Sequence, residues 1–341
     1  MFINRRSFTS LFALGLSLGF LTVAARAEDQ TITIAYQTGF SPFVRAVASG
    51  EIEKIPGFKV EFRQFNSGAE IFAAIAAGDV QIGDVGSSPF AASTSKGIDV
   101  KAIYISGAAG EDEALVARNG SGIGKLEDLK GKRLAAAPVS TDHFMLLSTL
   151  KQLGIKPDEA TVLAIPQPEI VAAWQRGDID AAFVWDPALG KLLESGKRLL
   201  TAKEAAERGA VTFGALVATA ETVEVHADFL QAFVNVVDKY YRDLQNTPGG
   251  WTADSPNVQA LAQFTGAKPQ DIADRLKVSA YVPASTQAGP EWLGGGEGGK
   301  LAKVLLDTAE FLKEQQKITT VLDSYAPFFD PRFVAATVAA N

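Results

Sequence analysis

The alternation of apolar and polar positions divides the chain into short strands and helices. Residues 31–36 and 58–62 alternate with a period of two, which predicts half-buried strands. Between these strands, Ser41-Pro42 precedes a helical pattern over 43–50. After the second strand, Ser67 precedes another helical pattern, which ends at Gly78. Strand and helix patterns alternate in this way along most of the sequence. This order predicts an α/β fold with largely parallel sheets flanked by helices.

One stretch of this pattern occurs twice. Residues 71–86 align with 170–185 at a constant offset of 99, and each copy contains an apolar helix, a glycine, an acid and a strand. Gly78 and Gly177 suit the left-handed residue that follows a helix. Such connections are common in α/β proteins, but a match of this length favours two similar lobes.

The repeat predicts the domain boundaries. We expect residues 28–116 plus 214–341 to form lobe 1 and residues 117–213 to form lobe 2. Two crossover strands would join the lobes.

The N-terminus has the features of a secretion signal. Arg5 and Arg6 precede a mostly apolar stretch over 8–23, and Ala25-Arg26-Ala27 matches a cleavage pattern. These features predict a signal peptide over 1–27, an export route of the general or twin-arginine type, and a periplasmic location. An uncleaved N-terminal helix is the alternative.

Composition excludes several classes of function. The 341 residues carry a net charge of −7 with no basic stripe, which argues against nucleic-acid binding. The absence of cysteine excludes disulfides and thiol catalysis, and two histidines, His143 and His226, are too few for a histidine-rich metal site. No cofactor motif is present, so we expect neither cofactor nor metal. A bound anion would then be held by oriented amides and hydroxyls rather than by lysine or arginine.

Two segments have the pattern of an anion site. Ser87 and Ser88 follow a predicted strand and open a helix, and Ser140 and Thr141 repeat this arrangement in the predicted second lobe. Amides at a helix start attract negative charge. A serine there is often only a cap, but one such turn per lobe is what a ligand in a cleft requires.

Aromatic residues near strand ends would complete a small pocket. Tyr36, Phe40, Trp185 and Phe213 are candidates, whereas Trp174 lies mid-helix and suits a core. The strand-end position of Trp185-Asp186-Pro187 favours exposure to a cleft.

Catalytic patterns are weak. Ser140, Asp142 and His143 are neighbours in sequence, whereas a working triad gathers its members from distant segments. The pattern therefore favours a binding protein over a hydrolase.

Several segments resemble the periplasmic taurine-binding proteins of the sulfonate and nitrate group. The resemblance covers nearly all of the chain after the signal. It implies the two-lobed fold of type II periplasmic binding proteins and a receptor without enzyme activity. The receptor would be a monomer that delivers a sulfonate to the permease and ATPase of an ABC importer. It also implies that the two serine turns hold the sulfonate, with Gln37 and Gln167 as further polar contacts. The segments that carry the resemblance are Tyr36-Gln37-Thr38, Gly78-Asp79-Val80-Gln81-Ile82-Gly83, Gly86-Ser87-Ser88-Pro89, Glu113-Ala114-Leu115-Val116, Ala172-Ala173-Trp174-Gln175-Arg176-Gly177-Asp178 and Phe311-Leu312-Lys313-Glu314-Gln315.

The sequence departs from that group where the amine of taurine would bind. Ser41 and Gly214 stand where taurine receptors carry acids. A desolvated ammonium needs a carboxylate, so Glu113, Asp142 or Asp186 would have to compensate. The alternatives are a sulfonate without an amine, nitrate, a carboxylate, or a catalytic member of the fold such as a thiamine-precursor synthase.

Overall fold

Two five-stranded sheets form the centre of the protein. The computed structural model describes residues 30–340, so the predicted signal segment lies outside the described residues. The strand order is β2-β1-β3-β10-β4 in the first sheet and β7-β6-β8-β5-β9 in the second. The strands are β1 Gln30–Gln37, β2 Phe58–Phe65, β3 Ile82–Gly86, β4 Val100–Ala108, β5 Ala114–Arg118, β6 Arg133–Ala136, β7 Thr161–Ala164, β8 Ala181–Val184, β9 Gly196–Thr201 and β10 Phe213–Thr219.

The two sheets have the same topology. In the first, β10 runs antiparallel to β3 and β4, while β1 pairs in parallel with β2 and β3. In the second, β5 runs antiparallel to β8 and β9, while β6 pairs in parallel with β7 and β8. Four strands of each sheet therefore point the same way, and the fifth is the strand that follows a crossing from the other lobe. The predicted two-lobed α/β fold is confirmed.

Helices cover the faces of both sheets. In lobe 2, alternate residues of one strand serve opposite faces: Phe183 joins a core with helix residues such as Phe144, and Val184 joins another with Trp174. Both faces are thus buried, as a sheet with helices on each side requires. The helices are α1 Pro42–Val47, α2 Gly68–Ala76, α3 Ser87–Thr94, α4 Thr141–Gln152, α5 Gln167–Arg176, α6 Ala188–Leu193, α7 Ala202–Glu207, α8 Ala220–Val225, α9 Ala227–Asn246, α10 Pro256–Thr265, α11 Pro269–Val278, α12 Ala284–Gln287, α13 Lys300–Glu314 and α14 Arg332–Ala339, with 3₁₀ turns at Ile52–Lys54, Leu126–Leu129, Leu293–Gly298 and Ala326–Phe328.

Strand pairing locates the crossing into lobe 2 a few residues before the predicted boundary. A boundary after Val116 would cut β5, whose residues 114–118 all pair in the second sheet. The chain therefore leaves the first sheet after Ala108 and enters the second at Ala114. The return falls close to the predicted position, because β10 begins at Phe213 in the first sheet.

The signals that the sequence places at helix ends have the expected geometry. Ser41 caps α1 through Val44 N, with Pro42 in the first turn. Gly78 and Gly177 both adopt left-handed backbone angles, with φ of 80° and 76°. The strands that follow them, β3 and β8, each occupy the third place of their sheet. Over residues 30–340, no helix combines the length and apolarity that crossing a bilayer requires.

Candidate functional site

A cavity of about 170 Å³ lies between the lobes, at the carboxyl ends of the strands. Gln37 at the end of β1 and Gly86 at the end of β3 line it from lobe 1, and Thr141 and Trp185 line it from lobe 2. Ligands of open α/β sheets bind at this edge. The volume is similar to the ~150 Å³ cavity known to hold benzene, so the space suits a ligand of a few heavy atoms.

The two helix starts predicted to form the anion site contact each other across the lobes. A Cβ added at Gly86 would lie 2.7 Å from Thr141 Cγ2, so only glycine allows this approach. Ser88 Oγ donates a hydrogen bond to the carbonyl of Val139 at 2.9 Å. Val139 has a φ of 57°, which is rare for a β-branched residue. Its strained turn presents the carbonyl to lobe 1, so the two turns meet beside one cavity.

The hydroxyls of these turns are engaged with the protein itself. Ser87 and Ser88 are fully buried and do not line the cavity, and Ser87 Oγ accepts from Phe213 N. Ser140 Oγ caps α4 through His143 N and donates to Ala137 O. A direct contact of Ser87 and Ser88 with the ligand stays a prediction, although both hydroxyls bond to the protein here. Gly86, Ser140 and Thr141 are the residues of these two turns that line the cavity, together with Pro89 of α3.

Gln37 and Gln167 have different positions. Gln37 and Phe40 line the cavity, and Gln37 Nε2 donates to Asp84 O at 2.9 Å. Gln167 is buried off the cavity, where its amide pairs with the backbone N and O of Trp185 at 3.3 and 3.1 Å. Gln167 thus positions Trp185, which lines the cavity, and a contact of Gln167 with the ligand stays a prediction.

Glu113 and Asp142 form a buried pair. Glu113 lines the cavity and accepts a hydrogen bond from Thr141 Oγ1 at 3.3 Å. Asp142 is fully buried and is not among the residues that line the cavity, and its contact with the ligand stays a prediction. Burial raises the pKa of both carboxyls, and the charge of Glu113 raises that of Asp142 further. Two adjacent buried carboxyls disfavour each other's ionised form.

Asp186 lies at the cavity as predicted, but it has a partner that the sequence did not reveal. Its carboxylate pairs with the Nε of Arg275 from α11, and both side chains are largely buried. Burial raises the pKa of Asp186, and the guanidinium opposes that rise. The expectation of a site without lysine or arginine is wrong, because Arg275 lines the cavity. The pair also links α11, which follows the return to lobe 1, with lobe 2.

Asp84 and Ser106 are among the cavity residues that sequence reasoning missed. Ser106 Oγ donates to Asp84 Oδ1 at 2.6 Å, and both residues line the cavity. Burial raises the pKa of Asp84 to about 6, although the Ser106 hydrogen bond acts in the opposite direction. Asp112 also lines the cavity, and burial raises its pKa. Asp84 lies just after the Gly78 turn of the repeat, which was the only sequence signal pointing to this region.

Two lobes of matching topology, two chain crossings and a ligand-sized cavity between strand ends define a two-lobed solute-binding protein. Comparison with known proteins gives the family. The profile described as NMT1/THI5 like matches residues 54–250. The chain belongs to this family.

Two relatives are named as binding proteins for taurine and for aliphatic sulfonates. The chain is 36% identical over 313 residues to the taurine-binding periplasmic protein of Escherichia coli K12, covering 92% of this chain and 95% of that one. It is 29% identical over 187 residues to a putative aliphatic sulfonates-binding protein of the same strain, covering 54% of this chain and 59% of that one. The resemblance to periplasmic taurine-binding proteins is confirmed.

Solved structures share the fold. The alkanesulfonate-binding protein SsuA of Xanthomonas axonopodis pv. citri bound to MOPS has a TM-score of 0.68 at 20% identity, covering 91% of this chain and 98% of that one. A cysteine-to-serine mutant of DSZB, in complex with biphenyl-2-sulfinic acid, has a TM-score of 0.61 at 13% identity, covering 92% of this chain and 100% of that one. DSZB is described as a desulfurization enzyme. The fold thus occurs in receptors and in an enzyme.

Proposed function

We propose that this protein is the periplasmic receptor of an ABC importer and that it binds taurine or a related small aliphatic sulfonate between its lobes. The observation that carries the proposal is the contact of two helix starts, one from each lobe, beside a cavity of about 170 Å³. Each lobe contributes part of the wall, so the ligand favours the closed form over the open one. The closed monomer then docks on the permease and its ATPase.

The cavity can stabilise a sulfonate without a net positive wall. The starts of α3 and α4 lie beside it, where main-chain amides and the positive ends of the helix dipoles would stabilise a negative group. Arg275 adds a guanidinium at the wall. Closure excludes water and strengthens each of these interactions.

The location and the partners follow from the relatives and from the first 27 residues. The Escherichia coli relatives include a protein named as periplasmic, and the predicted signal peptide supports the same compartment. The permease and ATPase belong to the proposal because the family resemblance implies them.

We favour a receptor over an enzyme. The DSZB structure carries a cysteine-to-serine change, whereas this chain has no cysteine at all. His143, in the first turn of α4, accepts from Val139 N through Nδ1, and burial lowers its pKa to about 4. It therefore maintains the turn rather than serving as a base near neutral pH.

Calorimetric titration tests the proposal. Purified protein, dialysed to remove co-purified ligand, would be titrated with taurine, ethanesulfonate, longer alkanesulfonates, nitrate and acetate. We expect at least one sulfonate to bind with micromolar or tighter affinity and to raise the melting temperature. Tight binding of nitrate or acetate with no sulfonate binding would contradict the proposed ligand class.

A further inference from the structure

The walls of the cavity carry more negative than positive groups. Within the described residues, four carboxyls and one guanidinium line it. A sulfonate alone would add another negative charge to this space. The excess of carboxyls therefore indicates that the ligand also carries a cation. The five groups are Asp84, Asp112, Glu113, Asp186 and Arg275.

Asp84 differs from the other three carboxyls in its neighbours. Asp186 pairs with Arg275, whose charge also favours ionised Asp112. Glu113 accepts from Thr141 and has a second acid, Asp142, next to it. Asp84, Asp112 and Glu113 form no ion pair with a lysine or arginine within residues 30–340, but only Asp84 has neither a cation nor a second acid acting on its carboxyl. The side-chain hydrogen bond to Asp84 comes from the neutral hydroxyl of Ser106.

The surroundings of Asp84 fix its position. Gln37 Nε2 donates to the Asp84 carbonyl, and Tyr241 OH donates to the Ser106 carbonyl, both at 2.9 Å. A Cβ added at Gly214 would lie 2.7 Å from Ser106 Oγ. Glycine at 214 thus leaves the space through which Ser106 reaches Asp84. Gly214 is one of the two positions where the sequence lacks an acid that taurine receptors carry. Asp84 therefore supplies a carboxylate close to the position of that acid.

We propose that Asp84 accepts hydrogen bonds from a primary ammonium group of the ligand, so that the receptor selects aminosulfonates over sulfonates without an amine. This inference rests on the proposed function and names the ligand's second charged group. A sulfonate at the helix starts and an ammonium at Asp84 make the ligand a zwitterion. The ammonium then provides the counter-charge that Asp84 does not receive from the protein.

A metal ion is a poorer occupant of this position. Within the described residues, no three His, Cys, Asp or Glu side chains converge closely enough to hold one. A single carboxylate beside a serine hydroxyl matches the few donors of an ammonium group better than the six or more oxygen ligands of calcium.

The test compares two ligands that differ only in the amine. Taurine and ethanesulfonate would be titrated calorimetrically into the wild type, Asp84→Asn and Asp79→Asn. Asp79 is an exposed acid outside the cavity in the same lobe, and it serves as the matched control. We expect the wild type to prefer taurine by ~100-fold, the size of effect that an enclosed charge pair produces. Asp84→Asn should abolish that preference by weakening taurine alone, with ethanesulfonate changed by less than about 3-fold.

The outcomes separate this inference from the proposed function. If the wild type binds ethanesulfonate as tightly as taurine, the inference fails and the sulfonate receptor stands. If it binds neither, the inference fails, and the proposed function also fails unless a longer alkanesulfonate binds. Glu113→Gln provides a further check, since loss of the taurine preference there, with the preference intact in Asp84→Asn, would overturn the assignment to Asp84. Should Asp84→Asn not fold, the wild-type ratio of the two affinities alone decides.

Discussion

The two lobes share one topology but differ in how they treat a carboxylate at the cavity. β3 and β8 occupy equivalent places, and each brings an acid near its end, Asp84 in lobe 1 and Asp186 in lobe 2. Asp186 is paired with Arg275, whereas Asp84 has only the hydroxyl of Ser106. The repeat therefore supplies the architecture of the cleft, while the acids of the two lobes have separate roles. Asp186 links the two lobes, and Asp84 remains available to bind the ligand.

The largest expected effect comes from removing the link between the lobes. Arg275→Ala would leave Asp186 buried without a counter-charge, which costs about 3 kcal/mol for a buried pair. We expect a clear fall in melting temperature and a ~100-fold weaker affinity for the sulfonate, by thermal denaturation and calorimetry.

An exposed pair gives the control for this variant. Arg176 and Asp178 are both more than half exposed, so Arg176→Ala should cost less than about 1 kcal/mol. Equal effects of the two arginine variants would show that Arg275 has no special role between the lobes.

The contact of the two helix starts can be broken by one methyl group. Gly86→Ala places a Cβ against Thr141 and should oppose closure by about 1–3 kcal/mol. Affinity should fall by ~10- to 100-fold, while the melting temperature without ligand changes little. Gly298→Ala, where no atom lies within 4 Å, is the control. Wild-type affinity in Gly86→Ala would mean that ligand binding does not need this contact.

Asp142 is a buried acid in the first turn of α4, and the first turn of α3 has no equivalent. We expect the contribution of Asp142 to stability to depend on pH. Because folding raises the pKa of Asp142, the native state holds a proton that the unfolded chain releases. The stabilisation that this proton gives the native state is largest below the pKa of Asp142 in the unfolded chain. It is lost as pH rises through the higher pKa of Asp142 in the native state. Asp142→Asn should remove that dependence and raise stability at pH 8 by roughly 1 kcal/mol. A variant with the wild-type pH profile of melting temperature would contradict this.

The smallest effect concerns a serine first expected to touch the ligand. Ser88→Ala removes only a neutral hydrogen bond to Val139, worth about 0.5–1.5 kcal/mol. We expect a loss of affinity of about 3-fold by calorimetry. A loss above about 100-fold would indicate that Ser88 binds the sulfonate directly.

The sequence predicted the architecture better than the site. The spacing around Gly78 and Gly177 is local, so it identified two equivalent helix–strand units. The position of β5 was missed because its sheet partner is set by long-range pairing. For the same reason Ser87 and Ser88 were predicted as ligand contacts, although their hydroxyls bond to the backbones of residues 213 and 139.

The residues that give the cavity its charge were the hardest to predict. Arg275 lies on an amphipathic helix far along the chain from Asp186, and no motif connects them. Asp84 sits within a buried strand, where the alternation predicts a side-chain direction but not a cavity. Only the three-dimensional arrangement, with Ser106 over Gly214, shows that its carboxyl reaches the ligand space.

A crystal structure of the protein with taurine tests the central claim most directly. We expect the sulfonate oxygens within hydrogen-bonding distance of backbone amides at the starts of α3 and α4, and the nitrogen within about 3 Å of the Asp84 carboxylate. Taurine bound outside the cavity, or with its nitrogen at Asp186 and its sulfonate away from both helix starts, would contradict it.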